Sequence, residues 1–128
     1  MKFSVNSLCP CGSKKKYKKC CQVFHKGANP KDALSLMKSR YSAYAVGDAK
    51  YIKKTTHKSS PYFGDEIKEI ENFCKNEEFL GLEIVEFIEE AKEAYVTFKA
   101  LLGSGVLYEK SRFLKEDGVW FYVNGEFL

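Results

Sequence analysis

The 128-residue chain has no apolar run long enough to cross a bilayer as a helix, which takes about 20 consecutive apolar residues. Residues 1–8 begin with Met1-Lys2 and then alternate polar with apolar, so they lack the apolar centre of a secretory signal. No internal repeat or low-complexity tract occurs outside one lysine-rich segment. Histidine is scarce, and outside the N-terminal region only His57 titrates near neutrality unaided. Arginine is confined to Arg40 and Arg112. These absences argue against a helical membrane anchor and a repeat array, and a cytoplasmic location is the expectation. The most telling absence is of acid. Residues 1–27 hold seven lysines and no Asp or Glu, a charge of +7, whereas the rest of the chain carries 14 basic and 17 acidic residues, −3. The basic character of the protein therefore belongs to its N-terminal fifth.

Within that acid-free stretch lie four of the five cysteines, Cys9-Pro-Cys11 and Cys20-Cys21, in the pattern C-x-C-x8-C-C. Four soft thiols this close suit a tetrahedral zinc ion. Pro10 and Gly12 help the backbone turn around such an ion, one by stiffness and one by permissiveness. A four-thiolate zinc centre carries a formal charge of about −2. Lys14, Lys15, Lys16, Lys18 and Lys19 offset it and favour the thiolate form. Disulfides are the weaker reading, because they need an oxidising compartment and leave Cys74 over. A bridge between the neighbours Cys20 and Cys21 would also be strained. An iron–sulfur cluster takes the same ligands and remains the minor alternative.

The segment Cys9-Pro-Cys11-Gly12-Ser13 followed by Lys15-Lys16-Tyr17-Lys18-Lys19-Cys20-Cys21 resembles the SEC-C motif, the zinc hook at the C-terminus of the SecA translocation ATPase. The resemblance implies zinc held by Cys9, Cys11, Cys20 and Cys21. It also implies a protein or anionic partner for the basic hook, since the similar hook of SecA binds a chaperone and lipid. The family usually has Gly where this chain has Lys14, which predicts a left-handed or tight backbone there. His25, four residues beyond the last ligand, reads as a surface residue.

Composition bounds the remainder: 45% hydrophobic and 15% aromatic content supports one core plus a small appendage. The boundary is placed at Gly27, dividing a hook over residues 1–27 from a domain over residues 28–128. Asn29 as N-cap and Pro30 as first residue open a helix whose face is Leu34, Met37, Tyr41, Tyr44 and Ala45. Gly47 stops it, and Asp48 caps a short helix carrying Tyr51 and Ile52. Ile67, Ile70, Phe73 and Cys74 mark a third helix. Beyond Asn76 the period becomes that of strands, with turns at Gly103-Ser104-Gly105 and Asp117-Gly118. Helices followed by an antiparallel sheet make an α+β domain.

Leu36-Met37-Lys38-Ser39-Arg40-Tyr41-Ser42-Ala43-Tyr44, Thr56-His57-Lys58-Ser59, Glu109-Lys110-Ser111-Arg112-Phe113 and Asp117-Gly118-Val119-Trp120-Phe121-Tyr122-Val123-Asn124-Gly125 resemble the bacterial YchJ-like family. That family is similar in its core to the nuclear transport factor 2-like fold, a cone of curved sheet around helices. The resemblance raises two readings. The preferred one is a zinc-binding adaptor whose lysines Lys15, Lys16, Lys18 and Lys19 meet a protein, an anionic surface or nucleic acid. The other is a small enzyme or ligand-binding protein with a pocket near His57, with Arg40, Arg112 and Glu109 adding charge and Tyr41, Tyr108 and Trp120 the rim. An enzyme predicts a polar cavity converging on His57, and an adaptor a filled cone. The two arginines and Glu109 are also expected to make one buried structural network.

Overall fold

The computed structural model describes residues 3–128. A knuckle with a single 3-10 turn, Tyr17–Lys19, leads into helices α1 (Cys21–His25), α2 (Ala33–Val46), α3 (Ala49–Lys54) and α4 (Ile67–Asn76). Strands β1 (Phe79–Glu89), β2 (Glu93–Leu102), β3 (Gly105–Glu116) and β4 (Val119–Phe127) follow. They form one antiparallel meander in the order β1-β2-β3-β4. Register shifts at Phe79/Gly81 and Ile84/Glu86 in β1 and at Arg112/Phe113 in β3 interrupt the ladders. Such bulges add twist and bend, curving the sheet around the helices.

The core is built where strand alternation meets the helical faces. Ala94, Val96, Phe98 and Ala100 of β2 point inward with Phe113 of β3 and Trp120 of β4, against Leu36, Met37 and Tyr41 of α2. The free edge of β4 is closed by the loop after α3. His57 N donates to Tyr122 O at 2.8 Å, and Tyr122 N donates to Thr55 O at 2.8 Å.

Helix α2 differs from its expected form in two ways. It begins at Ala33, not Pro30. Asp32, in extended conformation, caps it by accepting from Ser35 N at 2.7 Å, while Glu89 at the far end of β1 accepts from Ala33 N at 3.0 Å. Two carboxylates satisfy first-turn N–H groups, so Asn29 and Pro30 stay outside. Second, α2 is buried on nearly every side, including Ser39, Ser42 and Ala43, each at 0% exposure. The sheet covers one side and the hook the other. The stop at Gly47, with φ 82°, and the cap at Asp48, which accepts from Tyr51 N at 3.1 Å, stand as read from the sequence. In α4, Ile70 is buried but Phe73 is half-exposed, because it stands at the mouth of a cavity.

Candidate metal centre and cavity

The hook is a backbone knuckle before it is a ligand set. Cys9 N donates to Lys15 O at 2.8 Å, Gly12 N to Cys9 O at 3.2 Å and Tyr17 N to Ser7 O at 2.8 Å. Two consecutive reversals need left-handed backbone, which Gly12 supplies at φ 85° and Lys14 at φ 68°. Lys14 thus occupies the strained position expected of it, at a cost of about 1 kcal/mol. The knuckle brings Cys9, Cys11, Cys20 and Cys21 together with every sulfur within 4.8 Å of the others. Cys11 Sγ and Cys20 Sγ are 3.6 Å apart. A tetrahedral ion with metal–sulfur bonds near 2.3 Å requires sulfurs separated by about 3.8 Å, so the cage has the size of a metal–thiolate centre. Cys9, Cys11 and Cys21 are buried, and all five cysteines are free of disulfides.

The electrostatics of the cluster point the same way. Hydrogen bonds from Cys11 and Cys21 hold Cys9 far below the ordinary thiol range. At Cys11 the contact with Cys21 pulls down, but Cys9 and burial outweigh it and the thiol is pushed up. Cys21 is driven far up by Cys11, by Cys9 and by burial. One thiolate forms easily and opposes the next, and a divalent cation removes that opposition by displacing the remaining protons. Hydroxyls surround the sulfurs: Ser13 Oγ lies 3.1 Å from Cys20 Sγ, and Ser42 Oγ of α2 lies 3.4 Å from Cys9 Sγ. Second-layer donors of this kind orient ligands.

His25 corrects its expected place on the surface. Its side chain is 3% exposed. Nε2 donates to the carbonyl of Ser39 at 2.8 Å, and Nδ1 meets the Tyr17 hydroxyl at 2.5 Å. The ring lies 4.6 Å from that of Tyr51, whose hydroxyl meets Ser39 Oγ at 2.7 Å. Hook and domain are therefore joined by a buried polar seam along α2. The signal for it in the sequence is a pair of serines, Ser39 and Ser42, flanking the apolar positions of the helix at Met37, Tyr41 and Ala43.

Lys14, Lys15, Lys16, Lys18 and Lys19 are all exposed. Among the described residues none of the five is within 4.0 Å of a carboxylate.

The seven residues expected around a pocket are divided by the structure. A cavity of about 590 Å³ lies between the sheet, α2, α3 and α4, and Arg40, Tyr41 and Glu109 line it. The cone is not filled, and it does not converge on His57. That ring is held elsewhere, between Ser59 and the carboxylate of Glu116, at a surface groove that also includes Lys58 and Phe121. Its hydrogen bond lowers the Glu116 carboxyl. Arg112 is half-exposed on the outer sheet face, where Nε donates to Glu93 at 2.6 Å. Tyr108 lies outside the cavity beneath the Lys99 ammonium, 5.0 Å from its ring centroid, and Trp120 is core at 2% exposure. The expected Arg40–Arg112–Glu109 network is absent among the described residues. Arg40 is buried, but its Nη1 donates to Ile52 O, Thr55 Oγ1 and Thr56 Oγ1 at 2.9, 2.6 and 3.3 Å.

Among the described residues no helix is long and apolar enough to cross a membrane. The chain matches two family models: YchJ, middle NTF2-like domain, over residues 32–125, and the SEC-C motif over residues 6–22. It is 39% identical over 125 residues to a UPF0225 protein of Streptomyces coelicolor, covering 94% of this chain and 95% of that protein. It is 36% identical over 128 residues to UPF0225 protein YchJ of Shigella dysenteriae, covering 94% of this chain and 84% of that protein. The solution structure of a SEC-C motif containing protein from Rhodopseudomonas palustris superposes with a TM-score of 0.79 at 30% identity, covering 96% of this chain and 98% of that one. With the cysteine knuckle at one end and the cone at the other, the chain belongs to the YchJ (UPF0225) family of SEC-C motif proteins.

Proposed function

We propose that the chain is a cytoplasmic zinc-binding adaptor, in which zinc held by Cys9, Cys11, Cys20 and Cys21 fixes a basic hook that docks an acidic protein surface. The observation that carries this reading is the set of five exposed hook lysines without carboxylate partners, standing on a cage of four thiols. Zinc suits a closed, all-sulfur tetrahedral set better than the harder oxygen-seeking ions do. With all four positions taken by protein, such an ion is structural: it holds Lys15, Lys16, Lys18 and Lys19 in one geometry so that their fields add.

The test is capture of partners from cell extract by the zinc-loaded protein and by the quadruple variant Lys15→Gln, Lys16→Gln, Lys18→Gln, Lys19→Gln. Exposed charges interact over about 8 Å at physiological ionic strength, so high salt and the quadruple variant should each strip the partner while zinc content stays at one per chain. Equal capture by the two proteins at both salt concentrations would remove the hook from consideration as the docking surface.

A further inference from the structure

The cavity inside the cone holds two charged groups that the hook does not use and that do not neutralise each other. Its volume, about 590 Å³, lies in the range of small-molecule sites and is far beyond a packing void. Its walls are rich in aromatic side chains, Tyr41, Tyr44, Phe79, Phe98 and Phe113 among them. Burial pushes the Tyr44 and Tyr122 phenols up, so both stay neutral.

Arg40 lies in this wall at 7% exposure, its guanidinium 4.5 Å from the Tyr122 ring centroid. Nη1 is consumed by the end of α3 and the residues that follow it, but Nε and Nη2 have no protein acceptor among the described residues. Those nitrogens are also not sealed in protein, since among the described residues the one buried side-chain polar atom without a partner is Trp120 Nε1. Arg40 lines the cavity, the open space beside it. Glu109, at 8% exposure, accepts through Oε2 from Ser111 Oγ at 2.5 Å and from Tyr122 Oη at 3.4 Å, leaving Oε1 without a partner among the described residues. Its carboxylate rests on the bare Cα of Gly125, where an added Cβ would come within 2.1 Å of Oε2. A glycine on β4 thus makes room for a buried charge.

A guanidinium and a carboxylate buried in the wall of one cavity, with no ion pair between them among the described residues, are costly in a scaffold. Each lines the cavity and keeps hydrogen-bonding capacity that no protein group uses among the described residues. The rim adds a sign: Asp65, Glu69 and Glu77 stand at the opening, and the one lysine there, Lys53, is tied by its ammonium to Asp65 O at 2.7 Å. An anion is repelled on the way in and meets Glu109 at the end. We infer that the cone binds a small, uncharged, aromatic molecule whose head group gives an acceptor to Arg40 and a donor to Glu109, the chemistry of a carboxamide. This site is independent of the zinc hook.

The experiment uses the zinc-loaded full chain and three probes with one aromatic body: 2-naphthamide, 2-naphthoate and naphthalene. Titrations are followed by protein NMR. The amide should bind saturably, shift cavity resonances such as those of Ala100 and Leu107, and bind about tenfold more tightly than either other probe. Glu109→Gln keeps the side chain's size and an acceptor for Ser111 while removing the charge. It should erase the preference for amide over naphthoate and leave the melting temperature within a few degrees. Arg40 is not substituted, because its Nη1 bonds hold α3 in place. Equal binding of amide and naphthalene would reduce the cavity to a greasy void. An amide preference that survives Glu109→Gln, or no saturable binding of any probe, would overturn the assignment.

Discussion

The hook and the cone of this chain are held by different physics, and they meet on a single helix. In the cone, order comes from area: inward residues of four strands close over Leu36, Met37 and Tyr41, and truncating any of them costs a few kcal/mol of a distributed total. In the hook, the buried residues are Cys9, Cys11, Tyr17 and Cys21, too little apolar surface to hold a knuckle that also stores a left-handed lysine. In the proposed reading its order depends on an ion enclosed by its four thiols. The electrostatic characters are opposed as well, since the hook presents exposed lysines while the mouth of the cone presents Asp65, Glu69 and Glu77. Helix α2 serves both, its Tyr41 side on the sheet and its Ser39 and Ser42 side on the hook. The chemistry changes across the boundary expected at Gly27, yet the segments on its two sides share a buried seam.

The largest effect that could break this comparison is removal of one ligand. Cys9→Ser should abolish stoichiometric zinc and expose amides 5–25 to rapid hydrogen exchange, since structural zinc supplies on the order of 10 kcal/mol to small zinc folds. The cone's strands should stay protected. Loss of protection in β2 and β3 together with the hook would show that the two regions fold as one.

An intermediate effect is expected at the seam. His25→Ala removes the bonds to Ser39 O and Tyr17 Oη and the packing on Tyr51, and should cost about 2 kcal/mol in denaturant unfolding while zinc is retained. A change within a few tenths of a kcal/mol would mean that the seam transmits nothing between the two regions.

The smallest effect has the opposite sign. Lys14→Gly relieves the left-handed backbone and should raise hook stability, read as slower zinc transfer to a competing chelator, by about 1 kcal/mol, with no change in the cone. Faster transfer would locate Lys14's contribution in its charge beside the thiolates.

How legible each region was follows from the range of the interactions that define it. The gathering of the four cysteines and Lys14's conformation could be read because a knuckle of this kind is specified within 13 residues. Gly47-Asp48 and Asp117-Gly118 could be read because caps and tight turns are local, and β2 because one face of a strand is a simple alternation. What was not legible involves distant partners. Asn29 looked like a cap, but Glu89, 56 residues from Ala33, helps to fix the true start of α2. His25 looked superficial because its acceptor, Ser39, lies 14 residues on. Arg40 and Arg112 looked alike in composition and ended on opposite faces of the sheet, one in the cavity wall and the other on Glu93. The cavity itself is unreadable in a sequence, since aromatic residues that line a space have the same spacing as those that fill one.

The central claim, a closed zinc–tetrathiolate centre that orders the hook, is tested most directly by X-ray absorption at the zinc edge on protein purified without added metal. The account predicts one zinc per chain with four sulfur neighbours at about 2.3 Å and no nitrogen or oxygen in the first layer. A spectrum with fewer sulfurs and light-atom neighbours, or purified protein holding iron or no metal, would contradict it.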